Sequence, residues 1–104
     1  MDDARIESLR RMAERSPDDP RPRFGLALEY ERAGRWEDAA RELRAYLAVA
    51  QDEGNAYGRL GHALRELGDP DGARAAYRTG IETAYRNGHP SMAMEFEEIL
   101  DDLG

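Results

Sequence analysis

The apolar positions of the chain fall into six stretches, each spaced as one face of an α-helix. Ile6, Leu9 and Met12-Ala13 make the first stripe. Leu26, Ala27 and Tyr30, one and four apart, make the second, and Ala39, Leu43 and Leu47 the third. Leu60, Gly61 and Leu64 repeat the second stripe, and Ala73, Tyr77 and Ile81 repeat the third. Met92, Phe96, Ile99, Leu100 and Leu103 close the series. The pattern predicts helices near residues 3–15, 21–33, 36–50, 55–67, 70–86 and 90–103, and no strand. The punctuation agrees. Gly34 and Gly68 stand where helices must stop, and glycine takes the left-handed stop conformation without a Cβ penalty. Asp69 is placed to cap the next helix and Pro70 to open it, where no backbone donor is needed. Arg35-Trp36-Glu37-Asp38 starts another helix with acids at its positive end. Ser16-Pro17-Asp18-Asp19-Pro20 and Asn87-Gly88-His89-Pro90 read as turns.

The stripes recur with a period of 34 residues. A shift of that length brings Leu26 onto Leu60, Ala27 onto Gly61, Gly34 onto Gly68, Ala39 onto Ala73 and Leu47 onto Ile81. Arg10, Arg44 and Arg78 share one column; Leu9, Leu43 and Tyr77 share another. Each unit is helix, short turn, helix. The small residues Ala27 and Gly61 on first helices, with Ala39 and Ala73 on second helices, let two axes approach closely.

This arrangement resembles the tetratricopeptide repeat (TPR) family. One copy reads Tyr57-x2-Leu60-Gly61-x2-Leu64, then Gly68, Ala73, Tyr77 and Gly80; the other reads Leu26-Ala27-x2-Tyr30, then Gly34, Trp36, Ala39 and Leu43. Arg23 stands where the family has an aromatic, and Tyr46 where it has a small residue. The closing proline is missing from both full copies, although Pro17 holds that column in a truncated preceding one. The resemblance implies an all-α fold, a right-handed helical solenoid of antiparallel helix pairs with about six helices. It implies one domain over 1–104: a truncated repeat helix at 3–19, repeats at 20–53 and 54–87, and a capping helix at 88–104.

Composition narrows the chemistry. At 104 residues and 40% hydrophobic content the chain is one domain with a modest core. With no Cys, it has no disulfide, thiol nucleophile or Cys-ligated metal. With no Lys, since all 15 basic residues are Arg, it has no Lys-ended phosphate loop and no Schiff base. Arg and Ala richness without Lys points to a GC-rich bacterial genome. Of the net charge of −7, most sits at one end: Glu95, Glu97, Glu98, Asp101 and Asp102 are followed by no Arg. A near-neutral body with an acidic end is unsuited to nucleic acid. The start Met1-Asp2-Asp3-Ala4-Arg5 is not a signal region, and no run reaches the roughly 18 apolar residues of a membrane span. A cytoplasmic protein is expected.

No catalytic constellation stands out, so no enzyme and no cofactor are expected. His62 and Glu66 lie four apart, but two ligands do not close a zinc site. His89 reads as a helix flank. Asp18-Asp19 and Asp101-Asp102 lack calcium-loop spacing, so no metal is expected. Gly54-x3-Gly58-x2-Gly61 falls on a helix with no strand before it, which excludes a nucleotide loop. Ser8, Ser16 and Ser91 have no nucleophile context.

In the family, first helices line a concave groove. Phe24 and Leu28 lie off the packing stripe of their helix, with Gly58 and His62 in the matching columns and Arg21, Asn55, Arg59 and Arg65 nearby. The resemblance therefore implies a peptide-binding groove with an apolar floor and an Arg rim, lined by Arg21, Phe24, Leu28, Asn55, Arg59, His62 and Arg65. It suits a partner segment bearing acids. The other reading packs Phe24 and Leu28 beneath the N-terminal helix. The family's chaperone-tail carboxylate clamp needs Lys and Asn where this chain has Phe24 and Leu28. A second functional reading is a homodimer that pairs through the outer stripes, Ile6 and Leu9 or Leu100 and Leu103.

Overall fold

A computed structural model describes residues 3–103. Among them are six α-helices and no strand: α1 (Asp3–Arg15), α2 (Pro20–Arg32), α3 (Trp36–Val49), α4 (Asn55–Glu66), α5 (Pro70–Arg86) and α6 (Pro90–Leu103). Each begins and ends within a residue of where the periodicity puts it. The ends are built from local hydrogen bonds. Asp19 accepts from the Arg21 backbone N–H, Asp69 accepts from that of Gly72, and a proline opens α2 and α5 behind these caps. Gly34, Gly68 and Gly88 carry φ near 71°, 75° and 78°. Beside each, two backbone N–H groups turn back onto the last helical carbonyls, as in Arg35 to Tyr30 and Asp69 to Leu64. The start of α4 is less legible in the sequence. Gly54 takes φ of 130°, and the Asp52 carboxylate accepts from the N–H groups of Gly54 and Ala56.

The chain forms two compact units, Met1–Gln51 and Asp52–Gly104. In the first, α2 packs on both α1 and α3. Its core joins Ile6, Ala13, Leu26, Tyr30 and Ala39, with Leu9 half-buried against them. Two ion pairs stitch the helices: Arg5 to the buried Glu29 at 3.3 Å between α1 and α2, and Arg23 to the buried Glu42 at 3.1 Å between α2 and α3. Arg23, which breaks the aromatic column, thus joins Arg41 in neutralising a buried acid. In the second unit α5 packs on both α4 and α6, and Leu60, Leu64, Tyr77, Ala84, Ala93 and Phe96 are buried. Met12 departs from its predicted stripe. It is 44% exposed, because among the described residues α1 has no first helix paired with it to cover that side.

Ala39, Ala73 and Leu43 are fully buried. Leu43→Ala should cost about 2–5 kcal/mol by leaving a cavity. Ala73→Leu should cost about 1–3 kcal/mol by forcing the helices apart. Chemical denaturation of each variant checks both; unaltered midpoints would mean the helix register is misplaced.

Candidate functional site

The residues expected in a groove divide between two helices. Arg21, Phe24 and Leu28 lie on one side of α2, in the first unit; Asn55, Arg59, His62 and Arg65 lie on one side of α4, in the second. Phe24 is half-buried, with its ring 5.0 Å from that of Tyr46 on α3 and tilted by 49°. Leu28 is half-buried as well. The N-terminal helix does not enclose them. Its Leu9 lies instead against Gly25, where an added Cβ would stand 3.2 Å from it. Arg21 is engaged locally: its guanidinium forks onto Asp19, with Nε to Oδ1 at 3.0 Å and Nη2 to Oδ2 at 2.8 Å. That side-chain hydrogen bond, with the Arg21 backbone N–H behind it, holds the Asp19 carboxyl down to about 2.

On α4, Asn55, His62 and Arg65 are exposed and Arg59 is half-buried. His62 Nε2 stands 3.9 Å from Glu66. Among the described residues no three His, Asp or Glu side chains converge as metal ligands would. His89 turns to Glu53 and hydrogen-bonds it across the second unit. The α2 side thus carries half-buried apolar carbon with the Arg21 guanidinium, and the α4 side carries the guanidinium groups of Arg59 and Arg65 with an exposed amide and imidazole.

Gly58 does not belong to an open floor, contrary to its placement opposite Phe24 in the repeat. The Phe96 ring of α6 covers it: a Cβ at Gly58 would stand 2.4 Å from that ring, and one at Gly80 3.0 Å. The ring also lies 5.6 Å from that of Tyr77. In the first unit the same two columns hold Phe24 and Tyr46. One unit fills this space with its own paired rings, and the other leaves a two-glycine socket for a ring from the capping helix. The signal was present in the sequence, since both columns change from aromatic to glycine together. Sequence reasoning also missed a shallow groove of about 490 Å³ in the first unit, lined by Leu9, Met12, Arg15, Ser16, Asp19, Arg21 and Pro22.

Comparison with known proteins agrees with this architecture. Residues 24–89 match the family model described as tetratricopeptide repeat. The chain is 36% identical over 100 residues to TPR repeat-containing protein PA0015 of Pseudomonas aeruginosa, covering 94% of this chain and 93% of the relative. The solution structure of protein BPP2914 from Bordetella parapertussis superposes with a TM-score of 0.78 at 30% identity, over 94% of this chain and 85% of that one.

The socket has a measurable sign. Gly→Ala inside a helix ordinarily stabilises by about 1 kcal/mol. Gly58→Ala should instead destabilise by about 1–3 kcal/mol, because the methyl and the Phe96 ring need the same space. In a Phe96→Ala background the penalty should vanish, and a thermodynamic cycle from urea melts measures the coupling. Asp19 gives a pH signature. Its carboxyl is lower in the folded chain, so its cap contributes above the ordinary 3.8 and fades as pH falls through about 2. Asp19→Asn should flatten that part of the acid-stability profile.

Proposed function

The chain belongs to the tetratricopeptide repeat family, and on that premise we propose a non-catalytic protein-binding module that holds a peptide segment of a partner in the family's concave groove. Members of this family are protein–protein interaction modules, which supports the general class. The observation that carries the finer reading is that Phe24 and Leu28 keep part of their apolar surface in solvent, although α2 is flanked by packed helices on both sides. On α4 the matching side presents Asn55, Arg59, His62 and Arg65. The apolar carbons supply desolvation, and the guanidinium groups pair with a partner's carboxylates. Arg21 serves this surface from the mouth of α2 while bonded to Asp19. Helices that are already ordered lose little freedom on binding, so a short acidic segment is held with modest contact area. No helix among the described residues is long and apolar enough to cross a membrane. A bacterial, cytoplasmic setting belongs to the same proposal.

Affinity capture from the source cell supplies the partner, and variants locate its contact. Arg59→Glu with Arg65→Glu should abolish capture while the helical circular-dichroism signal is kept. Phe24→Ala should weaken the same partner by about 1 kcal/mol or more if its ring is an anchor. A partner retained unchanged by all three substitutions would place binding elsewhere on the molecule.

A further inference from the structure

The outer helices carry opposite halves of the repeat. In the 34-residue register α1 falls in the columns of the second helices α3 and α5, with Leu9 in line with Leu43 and Tyr77. By the same register α6 falls in the columns of the first helices α2 and α4, with Met94 in line with Leu26 and Leu60. In the two complete hairpins these columns are buried. On α6 Met94 is 58% exposed; on α1 Leu9 is half-buried, and Met12, in the column of the half-buried Tyr46 and the buried Gly80, is 44% exposed.

The columns of closest approach change as well, and in opposite senses. Ala27 and Gly61 on the first helices become Glu95 on α6, whereas Ala39 and Ala73 on the second helices become Arg5 on α1. The charge around them follows. The helix α6 carries Glu95, Glu97, Glu98, Asp101 and Asp102 and no basic residue. The groove beside α1 has an apolar floor of Leu9, Met12 and Pro22, with Arg15 and the paired Arg21 and Asp19 among its lining. A first-type helix and a second-type helix, each without its mate among the described residues, are thus matched in register, exposed methionine and charge.

We propose that α6 of one copy docks on α1 of a second copy, a first-type helix against a second-type helix, with the charges of Glu95 and Arg5 in place of the small residues that bring α2–α3 and α4–α5 together. Met94 meets the Leu9–Met12 surface, and the α6 acids meet Arg5 and Arg15. Such a contact is heterologous: each copy offers one α6 and one α1, so occupying one leaves the other open and the assembly grows with concentration. It goes beyond the peptide-groove reading, since α1 and α6 carry none of that groove's residues and only Arg21 of α2 lines both surfaces.

Analytical ultracentrifugation of the full chain from about 1 μM to about 1 mM tests this. The wild type should gain mass with concentration and return to monomer in about 1 M salt, where the screening length falls to about 3 Å. Met12→Glu with Arg15→Glu reverses the α1 side, and Glu95→Arg with Glu98→Arg reverses the α6 side. Neither pair touches a buried residue, and circular dichroism verifies that each variant folds. Each double variant alone should stay monomeric. An equimolar mixture of the two should associate again, because one keeps a native α6 and the other a native α1. A wild type that is monomeric throughout, association that survives either double variant, or a mixture that stays monomeric would each overturn the proposal. In the first case the charges at the outer helices only terminate the array.

Discussion

The close approach of paired helices governs the rest of this structure. At Gly61 an added Cβ would lie 2.7 Å from the Tyr77 ring, so the missing side chain on α4 makes room for a ring from α5. Ala39 and Ala73 keep the second helices small at the matching columns, both wholly removed from solvent. The large residues Leu26, Leu43, Leu60 and Tyr77 are buried beside these small ones, and their burial supplies the stabilisation that a small chain with few apolar residues can offer. Adding one side chain at the small-residue columns forces the axes apart, and the outer helices do just that with Arg5 and Glu95.

The same economy of space explains how α6 is held. A helix with five acids and no basic residue has little in its charge to fix it to a near-neutral body. It is fixed by shape. Phe96 lies between Gly58 and Gly80, and Gly54 approaches the Met92 sulfur, where an added Cβ would stand 3.0 Å from it. Polar ties then orient it: Tyr85 donates to Glu97, and Arg74 donates to the Leu103 carbonyl at the end of the helix, where an unsatisfied acceptor would otherwise remain. Glu95, Glu98, Asp101 and Asp102 are exposed to solvent.

The helices were legible because their signals are local and repeated: apolar spacing, a glycine stop, an Asp-Pro start. Much of the candidate site was not, because its geometry depends on which ring fills which gap. Phe24 could be placed off its packing stripe from the spacing alone. That it meets Tyr46 depends on a residue 22 positions away on another helix. Gly58 shares a column with Phe24, but alignment carries backbone position and says nothing of the Phe96 ring that covers it. Glu29 and Glu42 would be assigned to solvent from residue type; in the fold they are buried with ion partners from neighbouring helices, Arg5 and Arg23, as well as local ones, Arg32 and Arg41.

Departures from the repeat therefore have to be weighed in pairs. Arg23 looks like a defect in an aromatic column until Glu42 is set beside it; the corresponding columns of the second repeat hold Tyr57 and Ala76, which need no charge partner. Tyr46 looks like overpacking until Phe24 is set beside it, against Gly80 and Gly58 in the other copy. In both cases two columns change together, so the strain or charge introduced by one residue is relieved by the other inside the same unit. Such departures need no external partner to offset the strain or charge they introduce. Met12 and Met94 differ. Each stands in a column where the complete repeats bury or half-bury their residue, and each keeps about half of its surface in solvent. Hydrophobic area that the fold buries everywhere else in the same column is driven toward whatever can cover it. That separates the substitutions compensated inside one unit from the methionine surface that the proposed contact between α6 and α1 would cover.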